Sequence, residues 1–368
     1  MRAVSRIPQT LAVPKLANPA VPGGLRVRAV GRFDAFAAPG GGEVQLRSTI
    51  ASLAELGHDA RAWHPWDDDL GAVDVVHFFG SRPEFLPAAT AAKSRGARVV
   101  VSTVAWFDWR NTLREPGAWP KKFVHAARYA ARAACPQLAS WRKRLYDTAD
   151  LLLPNSQAEA AQLMRLFRVP ASKIRVVPNG ADRRFASADP QLFQTRYGLN
   201  RFVLCVGRIE PRKNQLALVR ALCGTGLPLV LIGEVVPGHE RYAERCRREA
   251  DADVHFIGRL SPDDSLLASA YAACSTLALV SWYETPGLVA LEAAMTGTPL
   301  VLPEGGCARE YFRDPAEYVA PDDLPTIRRA VLRSSEVSRR PEMAAMVRDN
   351  FTWSDVARAT AEAYESLR

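Results

Sequence analysis

The sequence predicts an α/β protein built from two doubly wound domains that face each other across a cleft. Short apolar, β-branched runs alternate with helical patterns along nearly the whole chain, as in parallel sheets covered on both faces. These runs fall into two series of similar length, separated by a polar stretch at 178–200 with no clear strand. The chain has 368 residues, which at about 100–200 residues per domain is the size of roughly two domains.

The first series of predicted strands runs 25–33, 59–64, 73–79, 98–103, 151–154 and 173–177. The second runs 202–207, 227–233, 254–258, 276–281, 299–303 and 317–319. Helical patterns at 43–56, 157–166, 214–222 and 241–250 lie between strands, and a last one covers 353–367 after Thr352 or Ser354 as N-cap. Ser156 and Glu159 have the spacing of a capping box. Residues 1–24 are expected to form a flexible arm, since Pro8, Pro14, Pro19 and Pro22 break any apolar core of a signal peptide.

Hydrophobic residues make up 48% and charged residues 24%, which excludes a wholly disordered chain. No apolar stretch approaches the roughly 18 residues of a membrane span. The six cysteines form no C-x-x-C pair, so they read as free thiols in a reducing cytosol rather than a metal or redox site. The net charge of +9 is lopsided: residues 1–182 carry 25 Lys and Arg against 15 Asp and Glu, and the remainder carries 23 against 24. One half therefore offers a surface to something anionic.

In doubly wound sheets, ligands bind where loops leave the carboxyl ends of strands, and three segments there carry chemistry. Gly40-Gly41-Gly42-Glu43 follows the first strand and opens a helix, which suits either an anion or a plain tight turn. It is no dinucleotide fingerprint, because Gln45 stands where the third glycine would be. In Val206-Gly207-Arg208-Ile209-Glu210-Pro211-Arg212-Lys213, the cations Arg208 and Lys213 bracket a loop and suit a diphosphate, although solvated loop charges would read the same way. The strongest segment is Glu284-Thr285-Pro286-Gly287-Leu288-Val289-Ala290-Leu291-Glu292. Its two carboxylates flank a helix start whose free N–H groups can receive phosphate. Eight mostly helical residues span roughly 12 Å, about the separation of the two hydroxyl-bearing sugars of a nucleotide-sugar.

The E-x7-E pattern, with VGRIEPRKN upstream and ADLLLPNSQAEA, KIRVVPNGAD and VHFIGRL elsewhere, resembles the retaining glycosyltransferases of family 4 (glycosyl transferases group 1), over about residues 25–367. The resemblance implies the GT-B fold, with Rossmann-like domains at 25–185 for the acceptor and 198–350 for the donor, and a C-terminal helix 353–368 packed back on the first. It implies that Arg208 and Lys213 hold the donor diphosphate and that Glu284 contacts the transferred sugar; these three are the candidate catalytic residues. It further places Thr285, Pro286, Gly287 and Leu288 on sugar and phosphate, Glu292 on the ribose, Gly258, Arg259 and Leu260 against the base, and Gly41 and Gly42 over the phosphates. The donor is then a UDP-, GDP- or ADP-sugar, with no further cofactor and no metal.

Many relatives have a histidine where this chain has Ser102 and Thr103, followed by Trp106 and Asp108; these four are the acceptor-side candidates. His77 is read as a packed strand histidine with a cleft role as the alternative. Lys121, His125, Arg128 and Arg132 share one helical face in the basic segment from Lys121 to Arg144. That face suits either plain solvation or an anionic membrane presenting a lipid-linked acceptor. The expected location is cytoplasmic, at the inner face of a membrane. Alternatives are a sugar-phosphate synthase and a catalytically inactive scaffold. Nucleic-acid binding is disfavoured, because no aromatic–basic RNA-binding motif accompanies the charge.

Overall fold

A computed structural model describes residues 24–33, 40–117 and 119–368. The expected arm at 1–24 lies, apart from Gly24, outside the described residues. The first unit runs β1 (Arg26–Val30), α1 (Gly41–Glu55), β2 (Asp59–Ala62), β3 (Val75–Phe79), α2 (Phe85–Ser94), β4 (Arg98–Ser102), α3 (Trp109–Arg114), α4 (Trp119–Ala134), α5 (Trp141–Thr148), β5 (Leu151–Leu152) and α6 (Gln157–Phe167). The second runs α7 (Gln191–Tyr197), β6 (Val203–Val206), α8 (Gln215–Leu222), β7 (Leu229–Ile232), α9 (Glu240–Glu249), β8 (Val254–Gly258), α10 (Ser265–Ala273), β9 (Thr276–Ala278), α11 (Leu288–Met295), β10 (Leu300–Pro303), α12 (Ala308–Phe312), β11 (Glu317–Val319), α13 (Leu324–Ser335) and α14 (Pro341–Asn350). A last helix, α15 (Trp353–Glu365), follows.

Each unit has one sheet, ordered β2-β1-β3-β4-β5 and β11-β10-β9-β6-β7-β8, and every recorded strand pairing is parallel. The central strands are buried throughout, as in VVHFF of β3 and VLCV of β6, because helices cover both faces. Strand order reverses between β1 and β3 in one sheet and between β6 and β9 in the other. Those are the points where loops diverge and leave room for a ligand.

The chain passes between the units twice, and the two passages pair: Ala181 N–H donates to Phe351 O at 2.8 Å. Gly180 has no room for a side chain there, since a Cβ would stand 2.7 Å from the Thr352 carbonyl carbon. α15 then packs on the first unit, where Val356, Ala357 and Tyr364 join a core with Val27, Val75 and Val100.

Three local expectations need correction. The predicted strand at 173–177 reduces to a bridge: a 3-10 turn covers Ala171–Lys173, Ile174 bridges Leu152, and the Arg175 and Val177 N–H groups donate to Leu152 O and Pro154 O as the chain runs on beside β5. The stretch at 178–200 is not strandless linker alone: it contains α7, whose Phe193 is fully buried with Phe185 in the core of the second sheet. Packing of the second unit therefore begins near Ala181, ahead of residue 198. The capping box at Ser156 is half formed. Ser156 Oγ accepts from Glu159 N at 3.1 Å, but the Glu159 carboxylate turns away into the protein.

Candidate active site

The loops that follow β6 and β9 lie side by side because those strands are neighbours at the switch point. Trp282 N–H donates to Arg212 O at 3.0 Å, tying loop to loop. Asn214 sits in left-handed backbone at φ 56°, which asparagine tolerates, and its Nδ2 donates to Val280 O at 3.1 Å and Pro321 O at 2.7 Å. These contacts bring Lys213 Nζ to 2.5 Å from Glu284 Oε1 across 71 residues of sequence. Ser281 Oγ donates to the same oxygen at 2.6 Å. Glu284 is further fixed by its own backbone, which pairs with Gly305 and Cys307. Gly306 allows this, because a Cβ there would fall 1.9 Å from Glu284 O.

The two carboxylates of E-x7-E are both buried, yet they are pushed in opposite directions. At Glu284 burial favours the neutral acid, but the charges of Lys213 and Arg212 and the hydrogen bonds from Lys213 and Ser281 outweigh it, holding the carboxyl below its ordinary range. At Glu292 burial prevails and raises the carboxyl, opposed by the Tyr271 hydroxyl, which donates to Oε2 at 2.7 Å, and by the charge of Arg184. Only part of the motif is helical. α11 begins at Leu288, so Pro286 precedes Gly287, the N-cap, rather than opening the helix, and Glu292 lies in the second turn. No side chain caps that N-terminus; the Ala290 N–H donates to Gly287 O, which leaves the amides of Leu288 and Val289 to an anion.

Arg208 is about one-third exposed and donates to Glu210 Oε1 at 3.3 Å. The glycine loop of the first unit lies opposite. A Cβ at Gly40 would stand 4.0 Å from Arg208 Nη1, and one at Gly41 3.6 Å from Leu288 Cδ1, while Gly42 faces open space. The N-terminus of α1 already holds an internal carboxylate, because Glu43 Oε2 accepts from Gly40 N at 2.6 Å. Gly258 and Arg259 line a cleft of about 410 Å³ with Glu234, Val235 and Ile209, the residue after Arg208. Gly233 stands on its wall, where a Cβ would meet Gly207 O at 2.0 Å. Leu260 packs at the margin of the second core.

The acceptor-side candidates are placed differently. Ser102 Oγ is 2.9 Å from His77 Nε2, and Thr103 Oγ1 donates to Glu159 Oε1 at 2.5 Å. Both are buried. Asp108 caps α3 by accepting from Arg110 N and Asn111 N. Trp106 packs against the core of the second unit. His77 is a packed strand histidine: its Nδ1 meets Tyr364 Oη at 2.7 Å, and burial drives its pKa down to about 3. On α4, Arg132 is turned onto Pro136 O and the Phe167 ring, so it leaves the predicted cationic face, and Lys122 donates to Leu113 O.

Sequence reasoning missed the residues that hold the site together. Ser281 is three residues before Glu284, a spacing that offered a weak signal. Arg212 donates to Glu210 Oε1 at 3.0 Å and lies over the Tyr283 ring, but its neighbours Arg208 and Lys213 match the family pattern and drew attention from it. Asn155 Nδ2 donates to Thr285 O at 3.2 Å and Asn111 Nδ2 to Trp282 O at 2.6 Å, both across the cleft. No local pattern could reveal these contacts.

Residues 69–185 match the family Glycosyltransferase Family 4, and residues 200–336 match Glycosyl transferases group 1. A D-inositol 3-phosphate glycosyltransferase of Nocardioides sp. is 26% identical over 321 residues, covering 76% of this chain and 70% of the relative. The protein of that name from Actinosynnema mirum is 29% identical over 305 residues, covering 74% and 73%. Among solved structures, Anabaena HepE in complex with UDP and glucose superposes with a TM-score of 0.69 at 18% identity, covering 93% of this chain and all of that one. Sucrose-phosphate synthase of Thermosynechococcus elongatus superposes with a TM-score of 0.71 at 18% identity, covering 93% and 99%.

Proposed function

The chain belongs to the group 1 and family 4 glycosyltransferases of GT-B fold, and from that premise we propose that it moves a hexose from a nucleoside-diphosphate sugar to an acceptor hydroxyl with retention of anomeric configuration. The observation that carries this reading is the cluster of Lys213, Ser281 and Glu284 beside the uncapped start of α11, with Arg208 facing the glycine loop. Lys213 spends one proton on Glu284 and has two left for phosphate oxygens. Arg208 brings a second cation, and the α11 amides point where the diphosphate gains charge as it leaves. In the proposed step the bond from the anomeric carbon to phosphate oxygen breaks. The acceptor oxygen attacks from the same face, and its proton passes to the departing phosphate. Glu284, fixed and ionised, holds the sugar, and Glu292 receives the ribose hydroxyls. Neither the residues nor the reaction call for a metal in this reading.

UDP is the first donor base to test, because a fold neighbour binds UDP and UDP-glucose. Thermal shift with UDP-, GDP- and ADP-sugars selects the donor; a ligand at 100 times its Kd adds roughly 2.7 kcal/mol to stability. NMR of the transferred sugar then reads the anomer. An inverted product would refute the mechanism, and absence of both transfer and donor hydrolysis would favour an inactive scaffold.

A lipid-linked or glycan acceptor at an anionic membrane surface fits the basic first unit, where Trp119, Phe123 and Val124 are exposed on α4 beside Lys121 and Arg128. Among the described residues no helix is long and apolar enough to cross a membrane. A second reading takes a phosphorylated acceptor, as in a sugar-phosphate synthase. It is supported by the names of the relatives, D-inositol 3-phosphate glycosyltransferases, and by the sucrose-phosphate synthase fold neighbour. Comparing phosphorylated and unphosphorylated polyols as acceptors separates the two.

A further inference from the structure

Glu159 is a buried carboxylate with no role in the donor chemistry. It sits in the first turn of α6 and accepts three hydrogen bonds from outside its helix: from Thr103 Oγ1 at 2.5 Å and Ala105 N at 2.6 Å on Oε1, and from Asn155 N at 2.9 Å on Oε2. The first two partners flank Val104, a β-branched residue in left-handed backbone at φ 41°. Valine strongly disfavours that conformation, so the turn needs external support, and Glu159 Oε1 bonds the residues on both sides of it. The third partner leads across the cleft. Asn155 donates through Nδ2 to Thr285 O of the donor loop, and its carbonyl accepts from Tyr311 Oη at 2.5 Å. The supported loop continues to Trp106, which packs on the second core.

We propose that Glu159 is a positioning residue that holds the turn Thr103–Val104–Ala105 on the acceptor side of the cleft and, through Asn155, ties it to the donor loop at Thr285. This deepens the reading of the cleft as a transferase site and rests on it for its functional meaning only. Bonds to an ionised acceptor are roughly twice as strong as neutral ones, but burial disfavours the charge of Glu159 by more than its three bonds offset. Among the described residues no cation pairs with it. The ionisable groups around it are Tyr146, Cys307 and Tyr311, all kept neutral by burial, and Glu310, whose carboxylate accepts from Gln157 N and Ala158 N at the α6 N-terminus; Ser156 contributes a dipole. Burial pushes Glu159 up to about 7, against the hydrogen bonds of Thr103, Ala105 and Asn155; a carboxyl raised in this way supports the closed turn best when protonated, so the hold loosens as pH rises through neutrality.

Hydrogen exchange of the 103–108 segment, followed by mass spectrometry at pH 8 and pH 6 and corrected for the intrinsic rate, tests this on the full chain without any substrate. The wild type should exchange about tenfold faster at pH 8 than at pH 6, because opening the turn returns the carboxyl to an ordinary pKa. Glu159→Gln, which stays neutral, should exchange alike at both, with the pH dependence gone. Thr103→Val, which removes one bond and keeps the carboxylate, should shift the whole profile while retaining its pH dependence. Wild-type exchange that does not rise between pH 6 and pH 8, or an unchanged pH dependence in Glu159→Gln, overturns the proposal. Failure of the wild type to bind any nucleoside diphosphate overturns the transferase reading instead and leaves the exchange result standing.

Discussion

The donor and acceptor sides of the cleft are built by the same topology and furnished in opposite ways. On the donor side, loops at the switch point between β6 and β9 present charged side chains: Arg208, Lys213 and Glu284. On the acceptor side, the loop after β4 turns its polar side chains inward. Ser102 meets His77, Thr103 meets Glu159 and Asp108 caps α3, which leaves backbone and the exposed Val104 toward the open side. A diphosphate is the same in every nucleotide-sugar and rewards fixed charge. Acceptors differ, and shape and backbone can vary without rebuilding the core. The fold therefore concentrates its electrostatic commitment in one half.

That contrast breaks first at Lys213. Lys213→Ala leaves Glu284 buried without its ion-pair partner, held by Ser281 and the charge of Arg212, which should cost about 3 kcal/mol of stability, the low end of the range for stripping one partner from a buried pair, and abolish measurable transfer. Chemical denaturation of Lys213→Ala beside the double variant Lys213→Ala/Glu284→Gln checks this, because the second change should return most of the stability and none of the activity. Arg208→Ala should lower turnover by about two to three orders of magnitude with little loss of stability, since the side chain is about one-third exposed and pairs with Glu210 at 3.3 Å. A folded Arg208→Ala enzyme with wild-type kcat/KM would remove the diphosphate assignment.

The pair Glu284 and Glu292 sharpens the contrast within the donor side. Glu292→Gln should weaken free nucleoside diphosphate by about tenfold, the loss of a hydrogen bond to a charged group, whereas Glu284→Gln should slow transfer with nucleotide affinity kept; isothermal titration of both variants decides. Their pH signatures differ in sign. Glu284 is held below the ordinary carboxylate range, so it supports the fold at neutral pH and loses that support as pH falls through its lowered pKa. Glu292 is raised, so its contribution is full below the ordinary carboxylate pKa and is lost as pH rises through the raised one. Without ligand, Glu292→Gln should therefore be more stable than the wild type at neutral pH, and Glu284→Gln less.

What the sequence made legible follows the same division. Arg208, Lys213 and Glu284 could be found because each follows a readable strand at a spacing that chemistry requires. The sheets were legible because β3 and β6 are continuous apolar runs. α7 escaped because its seven residues carry one fully buried aromatic, Phe193, and no full amphipathic stripe. Glu159 read as a capping residue because the S-x-x-E spacing is identical whether the carboxylate folds back on the N-cap or reaches inward. Its partners Thr103 and Ala105 lie more than fifty residues away, and only the packing of β4 beside β5 brings them together. Local pattern identifies groups that act alone or face solvent; contacts across elements stay hidden from it.

The smallest effect concerns the surface of the acceptor half. Of the residues expected to share one face of α4, Arg132 is committed to Pro136 O and to the Phe167 ring, and beside that face Lys122 is committed to Leu113 O and the Trp119 ring. Lys121 and Arg128 remain exposed with Trp119, Phe123 and Val124. Two cations near an anionic surface contribute on the order of 2 kcal/mol, which fades within a Debye length of roughly 8 Å at physiological salt. Aromatic side chains at headgroup level add an uncharged share that salt does not screen. Sedimentation with anionic and zwitterionic vesicles should then show weak, salt-sensitive binding to the anionic ones. Lys121→Gln with Arg128→Gln should remove the salt-sensitive part, and Trp119→Ala with Phe123→Ala the residue that persists at high salt, while UDP affinity in the other unit stays unchanged. Wild-type protein that ignores anionic vesicles at low salt would sink the membrane reading and favour the soluble, phosphorylated acceptor.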